Sequence, residues 1–339
     1  MIITQTPFRM SFFGGGTDIE SFFKKHGGAV LSTTFDKYCY VNVRHLPRFF
    51  DYSTELSYSR TERVTDVNDI EHPAIRNAMK MLDMHEIRLT YEADLPARSG
   101  LGTSSSFAVG MLNAFYALKG KYADKTKLAD EAVYLERVLC DEAGGWQDQI
   151  AASFGGFNRI NFNTDGTYDV LPVIISPERK KQLNNNLMMF FTGFTRYSSD
   201  IQKANVGTEE LREAKERRYL EMLALVDRAE SILTDNNADL DDFGKLLDYT
   251  WQLKKQTGAA VSTNHIDGLY DKGIKAGALG GKLLGAGGGG FLVFYVQPEY
   301  QDTVKEAMKN LMHIPFKFED GGTRVIHYTP ETYTPLEEK

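Results

Sequence analysis

Residues 95–107 read Leu95-Pro96-Ala97-Arg98-Ser99-Gly100-Leu101-Gly102-Thr103-Ser104-Ser105-Ser106-Phe107. The stretch is short and rich in glycine and hydroxyls. A β-rich run at 87–91 precedes it, and an apolar run at helical spacing, 107–118, follows. Gly100 and Gly102 admit backbone conformations that other residues avoid, and Thr103, Ser104, Ser105 and Ser106 bring helix-capping hydroxyls. A glycine loop that opens a helix leaves N–H groups pointing one way, with the positive end of the helix dipole behind them. That is an anion site, usually for phosphate. The competing reading is a capped helix after a flexible loop.

The chain has 339 residues, a length that predicts two domains of about 150 residues each. Hydrophobic residues make up 42% and charged residues 25%, so a large core can form in an ordinary soluble globular fold. The net charge of −7 speaks against a nucleic-acid partner. No apolar run is long enough to span a bilayer and the N-terminus carries no signal-peptide pattern, so no membrane partner is expected. Two cysteines, Cys39 and Cys140, make no disulfide framework and agree with a reducing cytoplasm. The seven histidines are scattered without Cys/His ligand spacing, so a metal would be a hard ion held by oxygens, such as Mg2+. Nothing in the composition excludes a homo-oligomer.

Outward from the loop, the pattern predicts an α+β chain. Residues 2–13 read as a strand entering the turn Gly14-Gly15-Gly16-Thr17-Asp18, followed by a short helix at 19–25. Residues 30–34 and 38–44 read as two paired strands, 48–69 as a polar hairpin and 73–82 as a helix. Helices at 105–118 and 125–141 follow the loop. At about 100° per residue, Leu128, Ala129, Ala132, Val133, Leu135, Leu139 and Cys140 form one apolar arc with Glu136 in its middle. A carboxylate there needs a partner, either a salt bridge or a metal, and spacing leaves both open. Strands at 157–162 and 168–174 lead to a charged, polar link at 177–186. The second half reads as a strand at 187–191, a hydroxyl-rich turn with Arg196, and helices at 209–233, 240–257 and 264–276. A glycine loop at 280–290, a strand at 291–296, a helix at 298–311 and edge strands at 315–318 and 324–328 complete it. The link divides the chain into domains 1–183 and 184–339.

None of the three glycine loops fits Gly-x-x-x-x-Gly-Lys-Ser/Thr. The first lacks the Gly-x-Gly-x-x-Gly spacing and an acid about 20 residues on, so a dinucleotide fold is not expected either. Pro7-Phe8-Arg9 with the 14–18 turn, the run 96–105, and Lys282-Leu283-Leu284-Gly285-Ala286-Gly287-Gly288-Gly289-Gly290 resemble, in order, the three motifs of the GHMP kinases (galactokinase, homoserine kinase, mevalonate kinase and phosphomevalonate kinase). Thr103 stands where the family usually has the first serine of a pair. The resemblance implies a two-domain α+β GHMP kinase fold, with a ribosomal-protein-S5-like N-terminal domain, a ferredoxin-like C-terminal domain, and ATP and Mg2+ in the cleft between them. It implies that Arg98, Ser99, Gly100, Leu101, Gly102, Thr103, Ser104 and Ser105 wrap the ATP phosphates. Ser104 and Glu136 would hold Mg2+, with Glu142 ranked second to Glu136. Asp148 would accept the proton of the attacking hydroxyl. Arg9 would pair with Asp148 and stabilise the phosphoryl charge. Gly15, Gly16, Thr17, Asp18, Arg196 and Gly287 would contact the substrate, Asp18 matching the sugar-binding aspartate of galactokinases. The competing reading of Asp18 is an N-cap of the helix at 19.

Longer patterns resemble the heptose-phosphate kinase branch: the 14–18 turn, His26-Gly27-Gly28-Ala29-Val30, Asp36-Lys37-Tyr38, Gly144-Gly145-Trp146-Gln147-Asp148-Gln149 and Thr192-Gly193-Phe194-Thr195-Arg196. That branch phosphorylates the anomeric hydroxyl of D-glycero-D-manno-heptose 7-phosphate, a sugar phosphate, to the 1,7-bisphosphate. The fucokinase branch shares much of the pattern. A 7-phosphate needs cations or N–H groups, and Arg98, Arg196, Lys203 and Lys37 are the candidates. The rival readings are a fucose kinase and a sugar sensor of this fold that does no chemistry. Intact Arg9, Ser104, Glu136 and Asp148 argue against the sensor.

Overall fold

A computed structural model describes residues 1–97, 99–193, 209–258, 260–285 and 287–330. The chain opens with β1 (Ile2–Phe13), turns into α1 (Glu20–His26) and returns along β2 (Gly28–His45). β1 and β2 pair antiparallel from Ile2↔Val43 to Phe13↔Leu31. The two strands expected at 30–34 and 38–44 are therefore one. Phe35-Asp36-Lys37 between them offers no glycine or proline to turn on, and a register shift between Pro7 and Phe8 absorbs the irregularity while both halves stay on β1.

Next come the hairpin β3 (Thr54–Ser57) and β4 (Thr61–Val64), α2 (Pro73–Met81), β5 (Ile87–Ala93) and α3 (Thr103–Leu118). α4 (Lys125–Tyr134), α5 (Gln147–Phe154), β6 (Phe157–Phe162), β7 (Tyr168–Pro172) and α6 (Pro177–Asn186) complete the first half. The stretch expected as a polar link is thus a helix. The Ser176 hydroxyl accepts the Arg179 N–H at 3.3 Å, and Pro177 sits in the first turn, where its missing N–H costs nothing. α3 is buried along almost its whole length and packs on β1 and β2, so the loop at its head is rigidly placed.

The second half holds β8 (Leu187–Phe191), α7 (Glu209–Thr234), α8 (Asp241–Lys255), α9 (Asn264–Lys275), β9 (Ala278–Leu283), β10 (Phe291–Val296), α10 (Gln301–Ala307) and β11 (Met312–Ile314). Its sheet runs β11-β8-β10-β9, antiparallel throughout. The helix expected over 298–311 is cut to α10 and a preceding 3-10 turn. The last two strands, β12 (Phe318–Glu319) and β13 (Arg324–Tyr328), leave this sheet and pair with β2 and β1. The end of the 184–339 stretch therefore belongs to the first, nine-stranded sheet.

The two sheets share a core. Phe12 and Phe13 of β1 meet Phe243 of α8 edge-to-face, with ring centroids 5.4 and 5.1 Å apart. Val226 of α7 and Val293 of β10 join the same buried cluster. The 14–18 turn follows Phe13 directly and is thereby held at the seam between the halves. No described helix is long and apolar enough to cross a membrane.

Candidate active site

A cleft of about 1610 Å3 runs along that seam, room for a nucleotide and a second small molecule. Gly102 caps α3 in the left-handed region (φ +71°), and Gly100 is also left-handed (φ +83°). A methyl on Gly100 would strike the Leu284 carbonyl, so the 99–102 loop and the glycine loop after β9 stand back to back. Gly100, Gly102, Thr103, Ser104, Ser105 and Gly287 line the cleft. Ser99 and Leu101 do not. Both are fully buried, and Leu101 belongs to the shared core. Neither side chain faces the cleft. Arg98, Arg196 and Lys203 lie outside the described residues. Lys37 does not line the cleft; its ammonium donates to Asp36 at 3.1 Å.

Glu136 is 1% exposed. The helix expected over 125–141 does not continue to it: α4 ends at Tyr134, and Leu135–Leu139 form a wider π turn closed by Cys140 N–H on the Leu135 carbonyl at 2.9 Å. Such turns re-aim side chains at functional sites. Ser104 Oγ donates to Glu136 Oε1 at 2.7 Å and Ser105 Oγ to Oε2 at 2.6 Å. The Gln149 amide also donates to Oε2, and Arg137 stands 3.9 Å away. Glu142 lines the cleft too; burial first, then repulsion from Glu136, raises its pKa.

Arg9 and Asp148, far apart in sequence, form an ion pair at 2.7 Å. Arg9 Nη1 also donates to the Gly100 carbonyl at 2.8 Å, which ties the pair to the 99–102 loop. Asp148 sits in the first turn of α5, at the positive end of that helix. Gly102 lies beneath both: a methyl there would be 3.2 Å from Arg9 Cγ and 3.5 Å from Asp148 Cβ.

Asp18 is 3% exposed and receives the N–H of Gly16 at 2.9 Å and of Gln147 at 3.3 Å. It does not cap α1, whose first turn receives no side-chain bond. Burial, then the neighbouring charge of Asp148, raises its pKa. Gly145 leaves the room it needs, since a methyl there would run into Asp18 Oδ2. Arg137 pins that loop by donating to the carbonyls of Glu142 at 3.0 Å and Gly145 at 3.2 Å. Gly15 and Gly16 line the cleft, but Thr17 does not. Its hydroxyl donates to Gly14 and Ala29 carbonyls at 2.8 and 2.9 Å, so it closes the turn and offers nothing to a substrate.

Ser11, Gln147, Lys254 and Lys282 also line the cleft, and the sequence reading assigned none of them a role. Ser11 Oγ and Gln147 Oε1 are buried without a partner among the described residues. Lys254 of α8 bonds the Gly285 carbonyl; burial, then Arg9, lowers its pKa to about 8 against the pull of Asp18 and Asp148. Lys282 of β9 is 2% exposed, donates to the Phe12 carbonyl at 2.7 Å, and is driven well below its usual range by burial and by Lys254 and Arg9. Lys254 lies on the apolar face of α8 with Leu247, Thr250 and Trp251, so the arc that singled out Glu136 would have found it.

Comparison with known proteins gives the family. Residues 70–156 match the GHMP kinases N terminal domain and residues 229–314 the GHMP kinases C terminal domain. A D-glycero-alpha-D-manno-heptose 7-phosphate kinase of Campylobacter jejuni is 30% identical over 321 residues, 91% of this chain and 93% of that one. This chain belongs to the GHMP kinases. The family uses ATP as phosphate donor, typically with Mg2+. A solved Campylobacter jejuni putative sugar kinase is 26% identical, with a TM-score of 0.70 over 96% of this chain and 97% of that one. A D-glycero-D-manno-heptose 1-phosphate kinase from Bacteroides thetaiotaomicron, 23% identical, shares the fold at a TM-score of 0.75 over 98% of this GHMP kinase and 100% of that chain.

Proposed function

We propose that this kinase transfers the γ-phosphate of ATP to the anomeric hydroxyl of D-glycero-D-manno-heptose 7-phosphate, giving the 1,7-bisphosphate. The observation that carries the reading is the meeting of the Arg9–Asp148 pair, the Ser104–Glu136 pair and Asp18 in a single cleft. Similarity along nearly the full length of the Campylobacter jejuni heptose 7-phosphate kinase supports the choice of sugar.

Ser104 and Glu136 present hard oxygens at the mouth of the phosphate loop, the donor type that suits Mg2+. With ATP bound, the ion would neutralise charge on the transferring phosphoryl group. The loop itself carries no lysine. Its positive charge comes from the α3 N-terminus, from Arg9, and from Lys254 on the second half. Asp148 takes the proton of the attacking hydroxyl. Arg9, paired with it at 2.7 Å, holds the carboxylate in place; the rate then rests on positioning and charge stabilisation. Asp18 has free lone pairs beyond its two backbone bonds and accepts from sugar hydroxyls. Mass spectrometry after incubation with ATP and heptose 7-phosphate or fucose tests the reading. A bisphosphate product supports it, and turnover of fucose alone refutes it.

A further inference from the structure

The 14–18 turn is covered by one face of α7. Val226 Cγ2 lies 2.9 Å from the point a methyl on Gly14 would occupy, and the Tyr219 ring lies 2.8 Å from the same point on Gly16. About two helical turns separate those contacts, so α7 runs along the turn and its N-terminal end continues past Gly16 over the open cleft. The next residues on that face are Lys215 and Arg212, four and seven positions before Tyr219. Opposite them stands α1. Phe22 meets Tyr219 edge-to-face with centroids 5.5 Å apart, and Lys25 and His26 both bond Glu216. Phe22, Lys25, His26, Arg212, Lys215 and Tyr219 line the cleft that holds Asp148.

The charges on this wall do not balance. Glu216 is shared by Lys25 and His26, Glu20 is taken by Lys24 at 2.6 Å, and Glu209 stands 3.7 Å from Arg212. Lys215 has no ion-pair partner among the described residues; its ammonium lies 5.5 Å from the Tyr219 ring centroid. Burial pushes its pKa down, as expected for a cation held partly out of water with no counter-charge. The wall also has a definite place relative to the chemistry. Asp148 follows Gln147, whose N–H bonds Asp18; Asp18 also accepts the N–H of Gly16, against which the Tyr219 ring packs, and Lys215 is one turn beyond. A sugar laid along that line has its reacting hydroxyl at Asp148, its other hydroxyls at Asp18, and its far end at Lys215.

We propose that Arg212 and Lys215 of α7, facing Lys25 and His26 of α1, seat a phosphomonoester carried on the non-reacting end of the sugar. This rests on the reading of the substrate as a sugar phosphate. An incoming dianion supplies the charge that Lys215 lacks and competes with Glu216 for Lys25 and His26. Arginine and lysine bind phosphate through charge-assisted hydrogen bonds, stronger than neutral ones.

The test compares kcat/KM for D-glycero-D-manno-heptose 7-phosphate and for the unphosphorylated heptose in the full-length chain. The variants are Lys215→Met, Lys215→Gln, Arg212→Met and Lys215→Arg. The expected result is a fall in the phosphorylated-to-unphosphorylated ratio of about tenfold or more in each neutral variant, carried by KM. Lys215→Arg keeps the ratio, and competitive inhibition by inorganic phosphate weakens in Lys215→Met and Lys215→Gln. A wild type that prefers the phosphorylated sugar, with a ratio unchanged in the neutral variants, overturns the seat alone. An equal fall on both sugars, the mark of a structural role, overturns it too. A wild type with no preference for the phosphorylated sugar overturns the substrate reading and the seat together.

Discussion

Replacing Lys254 by methionine is expected to make the protein more stable and less active. The Lys254 pKa falls from the usual 10.5 to about 8, with burial as the main cause and Arg9 as the next. The difference, 10.5 − 8, is about 2.5 pH units, and at 1.36 kcal/mol each the folded state loses about 3 kcal/mol by keeping this ammonium charged. The folded pKa lies below the unfolded one, so the full penalty applies below about pH 8 and fades as pH rises towards 10.5. Methionine keeps the apolar stem without the charge. It also loses the hydrogen bond to the Gly285 carbonyl, about 1 kcal/mol, and a cation beside Asp18 and Asp148. A net gain of about 1–2 kcal/mol at pH 7 remains. Denaturant unfolding at pH 7 and pH 9.5 measures it, and the gap between variant and wild type should narrow at the higher pH. Turnover should fall about 100-fold, because a cation lining the cleft near Arg9, Asp18 and Asp148 is gone. A variant less stable than wild type at pH 7, or a gap indifferent to pH, would refute this and make Lys254 a structural residue.

Asp148→Asn keeps the shape of the base but cannot take a proton, so turnover should drop about 10²- to 10⁴-fold while ATP affinity by fluorescence titration holds; near wild-type turnover would exclude Asp148 as the base. Glu136→Gln leaves the Ser104 and Ser105 hydroxyls on a neutral acceptor. The Mg2+ concentration for half-maximal rate should rise about tenfold or more, read from a Mg2+ titration at fixed ATP. Gly145→Ala drives a methyl into the Asp18 carboxylate. KM for the sugar should rise about tenfold or more with KM for ATP nearly unchanged, and a rise in both would show that the damage is not confined to Asp18.

Much of the site was legible because its chemistry is local. Gly100 and Gly102 adopt the left-handed conformations that their loop demands, and the hydroxyls of Thr103, Ser104 and Ser105 follow at the helix start. Glu136 stood out through its apolar neighbours at helical spacing, although the turn carrying it is wider than an α-helix. Other readings failed where a neighbour distant in sequence decides. The 30–34 and 38–44 runs are one strand because β1 pairs with both. Thr17 is spent on the Ala29 carbonyl, and Lys37 on Asp36. Ser99 and Leu101 share the loop's composition but turn into the protein.

The sequence by itself determined three glycine loops and the hydroxyls at the head of α3, and its resemblance to the GHMP kinases named the candidates for base, cation and metal ligand. The conformational freedom of a glycine and the chemistry of a side chain depend on residue type and near neighbours. Which of those groups face the same space was decided by the tertiary structure alone. Arg9 reaches Asp148 because β1 and the start of α5 converge on Gly102. Lys254 and Lys282 reach Arg9 because the second half packs on Phe12 and Phe13. The glycine loop is a pattern in the sequence, whereas the cations that face it are gathered from β1 and from across the seam between two sheets.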